Sequence, residues 1–82
     1  MKILKFGMAG CQPCKQLSKV VEGMGDVGVP IVDVDVDEAQ EVAIRYAIRG
    51  VPTCVLVDAD GKELRRKVGS MTEADFRQFV TG

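Results

Sequence analysis

Two cysteines three positions apart, Cys11-Gln12-Pro13-Cys14, stand where a short apolar stretch, Ile3-Leu4-Lys5-Phe6, gives way to a helical pattern. No other feature limits the fold as much. The stretch reads as a strand, and Gly7-Met8-Ala9-Gly10 as the loop after it, so Cys11 falls at a helix start. Unpaired N–H groups and the macrodipole favour negative charge there. The thiolate, not the thiol, attacks disulfides, so the Cys11 pKa is expected to be lowered. Cys14 lies one turn later on the same side of the helix, within reach of Cys11. That spacing lets it expel a partner from a mixed disulfide on Cys11. Pro13 is tolerated because first-turn N–H groups have no intrahelical acceptor.

Half of a zinc site is the commonest rival for such a pair, and zinc takes about four ligands. The chain has three cysteines and no histidine, which excludes a closed Cys/His site within one chain. Carboxylate ligands, or a metal bridging two chains through Cys11, stay open. A purely structural disulfide fits poorly, because so tight a loop constrains the unfolded chain little.

At 82 residues with 46% hydrophobic residues, the chain is expected to form one domain over positions 1–82, with a small core. No window resembles a signal peptide: the apolar run after Met1-Lys2 is broken at Lys5. No stretch is long enough to span a bilayer. A cytoplasmic location is therefore expected, and reducing surroundings favour a catalytic dithiol over a permanent bridge. The net charge of −1 supplies no field to recruit nucleic acid. The only basic cluster, Arg65-Arg66-Lys67, reads as a solvated edge strand, with a docking patch for an acidic partner as the sharper option.

Along the chain, the first helix is expected from about Cys11 to Met24, with Cys14, Leu17, Val20, Val21 and Met24 as its apolar stripe. Pro30 to Val36 alternates with period two and reads as a strand. Its valines share one face; Asp33 and Asp35 share the other. That row of acids suggests a metal site, but a sheet covered on both faces and the lack of nearby ligands argue against one. Asp37 is expected to cap a second helix, with Gln40 as its capping-box partner. Ala39, Val42, Ala43, Tyr46 and Ala47 would form its buried stripe. Tyr46, the only tyrosine, reads as a core residue with a wet hydroxyl.

Val51-Pro52-Thr53 opens the next strand, Thr53 to Val57, and a proline in that position can be cis. Asp58-Ala59-Asp60-Gly61 carries a hairpin signal, followed by a strand over about Lys62 to Val68. Thr72-Glu73-Ala74-Asp75 resembles a capping box and starts a last helix, with Phe76, Phe79 and Val80 facing in. Cys54, inside a strand, reads as core packing, with a regulatory thiol as the alternative. The order is β-α-β-α-β-β-α, an α/β fold. A βαβ start implies a parallel pair and the closing hairpin adds antiparallel strands. Helices then cover both faces of the mixed sheet, and the cysteine pair sits beyond the C-terminal end of the first strand, where sites in such sheets belong.

Four segments together resemble the thioredoxin family in a trimmed, glutaredoxin-sized form. They are Cys11-Gln12-Pro13-Cys14-Lys15, Tyr46-Ala47-Ile48-Arg49-Gly50-Val51-Pro52-Thr53, Asp60-Gly61-Lys62 and Lys67-Val68-Gly69. The resemblance covers nearly the whole chain. It implies a central four-stranded mixed sheet flanked by three helices, without the first strand and helix of a full-length thioredoxin. Cys11 would be the attacking thiol, Cys14 the resolving one, and Cys11–Cys14 the redox-active disulfide. Pro52 would be the cis proline facing it. The Val51 backbone would pair with an extended substrate segment, and Gly10, Val51 and Gly69 would floor the docking groove.

The function implied is thiol–disulfide oxidoreduction by a monomer without bound cofactor or metal. Electrons would come from a thioredoxin-reductase-like flavoprotein or another dithiol and pass to disulfide-containing proteins, with no nucleic acid or membrane involved. The alternatives are glutathione-dependent, glutaredoxin-like reduction and a non-catalytic binding module. Glutaredoxins carry a Gly-Gly pair and an acidic residue after the last strand; this chain has Gly69-Ser70-Met71-Thr72.

Three departures from the family pattern bear on mechanism. Gly10 stands where thioredoxins usually have Trp, which weakens the apolar docking face. Gln12 replaces the usual Gly between the cysteines. Lys5 occupies the place of the family's buried acid and Asp33 that of its nearby lysine. The exchange implies a mostly buried Lys5–Asp33 ion pair beneath Cys14, costly to break, whose cation would lower the Cys14 pKa. Otherwise Lys5 would snorkel to solvent.

Overall fold

A computed structural model describes residues 1–82. The elements run β1 (Lys2–Gly7), α1 (Gln12–Met24), β2 (Ile31–Asp35), α2 (Gln40–Arg45), β3 (Thr53–Val57), β4 (Glu63–Val68) and α3 (Glu73–Thr81). The sheet order is β2-β1-β3-β4. β1 pairs parallel with β2 and antiparallel with β3, and β3 pairs antiparallel with β4. Four mixed strands and three helices make up the α/β architecture that the order of elements implied.

Alternation along β1 divides the core in two, because successive side chains of a strand point to opposite faces. Ile3 packs with Leu17 of α1, with Phe76 and Phe79 of α3, and with Cys54, Leu56 and Met71. Leu4 and Phe6 pack with Val55 and Val57, and Val42, Ala43 and Tyr46 cover them from the α2 side. β3 lies between two strands and two helical layers, and all five of its residues are buried. That explains a continuous apolar run rather than an alternating one. Lys5 and Gly7 share Ile3's face, so they lie under α1.

β2 is an edge strand, and the expectation of a sheet covered on both faces fails there. Val34 and Val36 reach the Leu4–Phe6 core, but Val32 is 41% exposed. Asp33 also faces solvent.

The second helix is shorter than its apolar pattern and does not use Asp37 as its cap. The Asp35 carboxylate accepts from the N–H groups of Asp37 (2.8 Å) and Glu38 (3.2 Å), and the Ala39 N–H donates to the Asp35 carbonyl (2.8 Å). This turn consumes the residues expected to open the helix, so α2 starts at Gln40, with Ala39 as an N-cap lacking a side-chain bond. At the other end Ala47 adopts a left-handed φ of 52°, and the Ile48 N–H returns to the Ala43 carbonyl (2.9 Å). Such a reversal closes a helix and leaves Ala47 exposed rather than in the buried stripe. The Tyr46 hydroxyl donates to the Gly61 carbonyl at 2.5 Å and ties α2 to the β3–β4 turn.

The basic cluster lies on the other sheet edge, but most of it is engaged. Arg65 donates to the carbonyls of Phe79 (2.8 Å) and Val80 (2.9 Å), satisfying the C-terminal end of α3. Arg66 donates to Glu63 and to the Tyr46 carbonyl (2.6 Å). Only Lys67 reads as a plain solvated edge charge. At the start of α3 the Thr72 hydroxyl accepts from the Asp75 N–H at 3.1 Å, as the sequence pattern implied.

Candidate active site

The cysteine pair sits where β1 hands over to α1. Cys11 is the N-cap of α1 with extended backbone angles, and its sulfur accepts the Cys14 N–H at 3.1 Å. One of the helix's orphan donors is thus aimed at the Cys11 sulfur. The first turn of α1 holds no acidic side chain whose negative charge would offset the positive potential of the helix end at Cys11. Cys11 and Cys14 form a disulfide with Cα atoms 5.2 Å apart, within the ordinary range for such a bridge. Both are half-buried, while Gln12 and Pro13 are exposed. Pro13 lies in the first turn, where its missing N–H costs nothing.

Gly10 has φ 78°. That left-handed backbone brings the chain into the helix and favours glycine, which has no Cβ to strain it, and this gives a local reason for Gly rather than a bulky aromatic at this position. Gly7, at the end of β1, faces Cys14: a Cβ placed on it would lie 3.5 Å from the Cys14 sulfur.

The Val51–Pro52 peptide is cis and Pro52 is buried. The Thr53 hydroxyl donates to the Gly50 carbonyl (2.7 Å), and the Gly69 N–H donates to the Pro52 carbonyl (2.8 Å). These bonds fix the Gly50–Thr53 turn against the loop after β4, where Gly69 has φ 96°. Neither backbone polar group of Val51 bonds another main-chain group. Met8 (43% exposed) and Val68 (65% exposed) are exposed apolar residues on neighbouring segments.

Behind the disulfide a groove of about 500 Å³ is lined by Cys14, Pro52, Met8, Ser18, Lys5 and Asp33, among others. The Lys5 ammonium lies 2.9 Å from the Asp33 carboxylate and donates to the Ser18 hydroxyl at 2.6 Å. Strand register makes Asp33, Lys5 and Cys54 cross-strand neighbours in one row. The pair is buried on one side only: the Lys5 side chain is 11% exposed and that of Asp33 80%. This corrects the expectation of a mostly buried pair, because the edge position of β2 leaves the carboxylate in water. It also replaces the snorkelling alternative for Lys5. Ser18 escaped the sequence reading; its spacing of four from Cys14 on one helix face was the available signal. Asp33 and Asp35 do not converge: Lys5 holds one and backbone N–H groups the other.

Cys54 is fully buried. Burial pushes its thiol up to about 12, against the opposing pull of Lys5 and with a small further push from Asp33. In the unfolded chain the thiol ionises near 9. The folded value is therefore the raised one, and stability intact below pH 9 is lost as pH rises from 9 towards 12. At pH 10 the loss is expected to reach roughly 1 kcal/mol. Urea unfolding at pH 8 and pH 10, beside a Cys54→Val variant in which this loss disappears, checks it.

The chain matches the family described as "Thioredoxin-like domain" over residues 2–81. It is 36% identical over 69 residues to a prophage-derived thioredoxin-like protein of Bacillus subtilis, covering 84% of this chain and 82% of that one. It is 38% identical over 79 residues to Bacillus subtilis thioredoxin, covering 92% of this chain and 74% of the relative. Among solved structures, Fasciola hepatica thioredoxin superposes with a TM-score of 0.84 at 32% identity, over 96% of this chain and 76% of that one.

Proposed function

The chain belongs to the thioredoxin family and is a dithiol–disulfide oxidoreductase, and on that premise we propose that it reduces disulfides of other proteins through Cys11. The observation that carries this reading is the Cys14 N–H directed at the Cys11 sulfur, 3.1 Å away, at the head of a helix without first-turn acids.

In the reduced protein the Cys11 thiolate attacks one sulfur of a substrate disulfide. A bond forms between Cys11 and that sulfur, and the other substrate sulfur leaves as a thiolate that takes a proton from solvent. Cys14 then loses its proton and attacks the Cys11 sulfur. The Cys11–Cys14 bond forms, the bond to the substrate breaks, and the second substrate sulfur leaves. Two electrons have passed from the protein to the substrate. Pro52, which lines the same groove as Cys14, would hold the docking turn. The free backbone groups of Val51 would add to an extended substrate segment as a short strand, with Gly10 and Gly69 leaving room for it and Met8 and Val68 offering apolar contact.

The electron source is a dithiol reductant of the thioredoxin-reductase kind. The loop after β4 supports this over glutathione: Met71, which follows Gly69-Ser70, is 3% exposed and belongs to the core rather than to a ligand-binding turn. The test is insulin-disulfide reduction with NADPH and a flavin thioredoxin reductase, run beside a glutathione-coupled assay. Turnover in the first arm and not the second is expected. Turnover with glutathione alone would reverse the assignment, and none in either arm would reduce the domain to a binding module.

A further inference from the structure

A buried cation lies beneath the disulfide, and the exchange reaction as described does not use it. The Lys5 ammonium is held at 2.6 Å by the Ser18 hydroxyl and at 2.9 Å by Asp33. Ser18 lies one helical turn below Cys14, so its Cβ is about 5–6 Å from that of Cys14. Gly7, on which a Cβ would lie 3.5 Å from the Cys14 sulfur, is two residues from Lys5 on the same face of β1. Cys14, Ser18, Lys5 and Asp33 line one continuous groove.

We propose that Lys5, fixed by Ser18, is a positioning residue that favours the thiolate of Cys14 and so sets the rate at which the mixed disulfide is resolved. This rests on Cys14 being the resolving thiol. An ammonium in this place takes up no proton, so the site works by charge rather than as a general base. The Cys14 proton leaves to water in the groove, the thiolate attacks the Cys11 sulfur, and the substrate sulfur departs with the electron pair of the broken bond.

The other charges around the groove do not cancel this effect. Asp33 is paired to Lys5, but its carboxylate is 80% exposed and screened by water, whereas the Lys5 side chain is 11% exposed. Asp35 is occupied by the N–H groups of Asp37 and Glu38. Lys15, Lys19 and Glu22 rim the groove from α1 itself and are exposed. Cys54 on β3 stays protonated through the neutral range. Lys5 is thus a charge in the groove held largely out of bulk water and not offset by a buried anion at hydrogen-bond distance from Cys14.

The experiment is alkylation of the full-length protein by iodoacetamide in a Cys11→Ser background, followed at Cys14 by peptide mass analysis from pH 5 to 10. Lys5→Met is expected to slow Cys14 alkylation at pH 7 about tenfold and to move the profile to higher pH. Asp33→Asn is expected to quicken it about twofold and to move the profile to lower pH. A merely structural pair would move both variants in the same direction. Two shifts of the same sign, or no shift in either, would overturn the proposal. Asp33→Asn changes an exposed side chain, so it decides the matter even where Lys5→Met fails to fold. The readout contains no substrate, so its failure leaves the attack by Cys11 standing, and a failure of that attack does not alter it.

Discussion

A Cys14→Ser protein is expected to lose catalytic reduction of protein disulfides down to the uncatalysed baseline while still making one attack per chain. The Cys11 sulfur keeps its place at the head of α1, because the N–H that donates to it belongs to the backbone of residue 14 and survives the substitution. The first half of the exchange therefore proceeds. The second has no sulfur to complete it, so the substrate stays joined to Cys11. Non-reducing electrophoresis should reveal a mixed disulfide with a disulfide-containing substrate, released by a small thiol. Cys11→Ser is expected to abolish both turnover and the trapped species. A trapped adduct on Cys14 in the Cys11→Ser protein would exchange the roles of the two sulfurs.

The largest loss of stability is expected from Phe76→Ala. Phe76 is fully buried, sits 6.3 Å from the Phe79 ring and joins α3 to the sheet face that also carries Leu17 of α1. Truncating a buried phenylalanine costs about 3–5 kcal/mol, against a total of about 4–12 kcal/mol for a chain of this size. The melting temperature should fall by about 15 °C or more. Because α1 rests on the same cluster through Leu17, the reactive pair loses its support as well. Thermal unfolding followed by circular dichroism checks this. A loss under about 1 kcal/mol would mean that α3 is not part of the core.

Much of this was readable in the residues, for physical reasons that differ from place to place. β3 and the hairpin after it announced themselves through an apolar run closed by an Asp-Gly turn. The Cys11–Cys14 pair was legible because a helix start and a spacing of three are both local properties. The beginning of α2 was not. Asp37 and Gln40 make a good capping pattern, but Asp35, still in β2, takes the N–H groups of the turn first. The fate of the basic run was equally hidden. Arg65 and Arg66 look like solvated edge charges until α3 and α2 bring their carbonyls within reach. The exposure of Asp33 depended on β2 lying at a sheet edge, which the order of the strands, and not their sequence, decides. Ser18 was missed because nothing but its spacing from Cys14 distinguishes it from a surface serine.

The proposed chemistry depends on a Cys11 sulfur that, once reduced, ionises readily at the amino end of α1. The direct measurement is the pH dependence of Cys11 alkylation in the reduced protein, read by peptide mass analysis against Cys14 and Cys54. The account predicts that Cys11 reacts first and that its profile has its midpoint below the ordinary cysteine value of about 8.5. A midpoint at or above that value, or faster labelling of Cys14 than of Cys11, would contradict it.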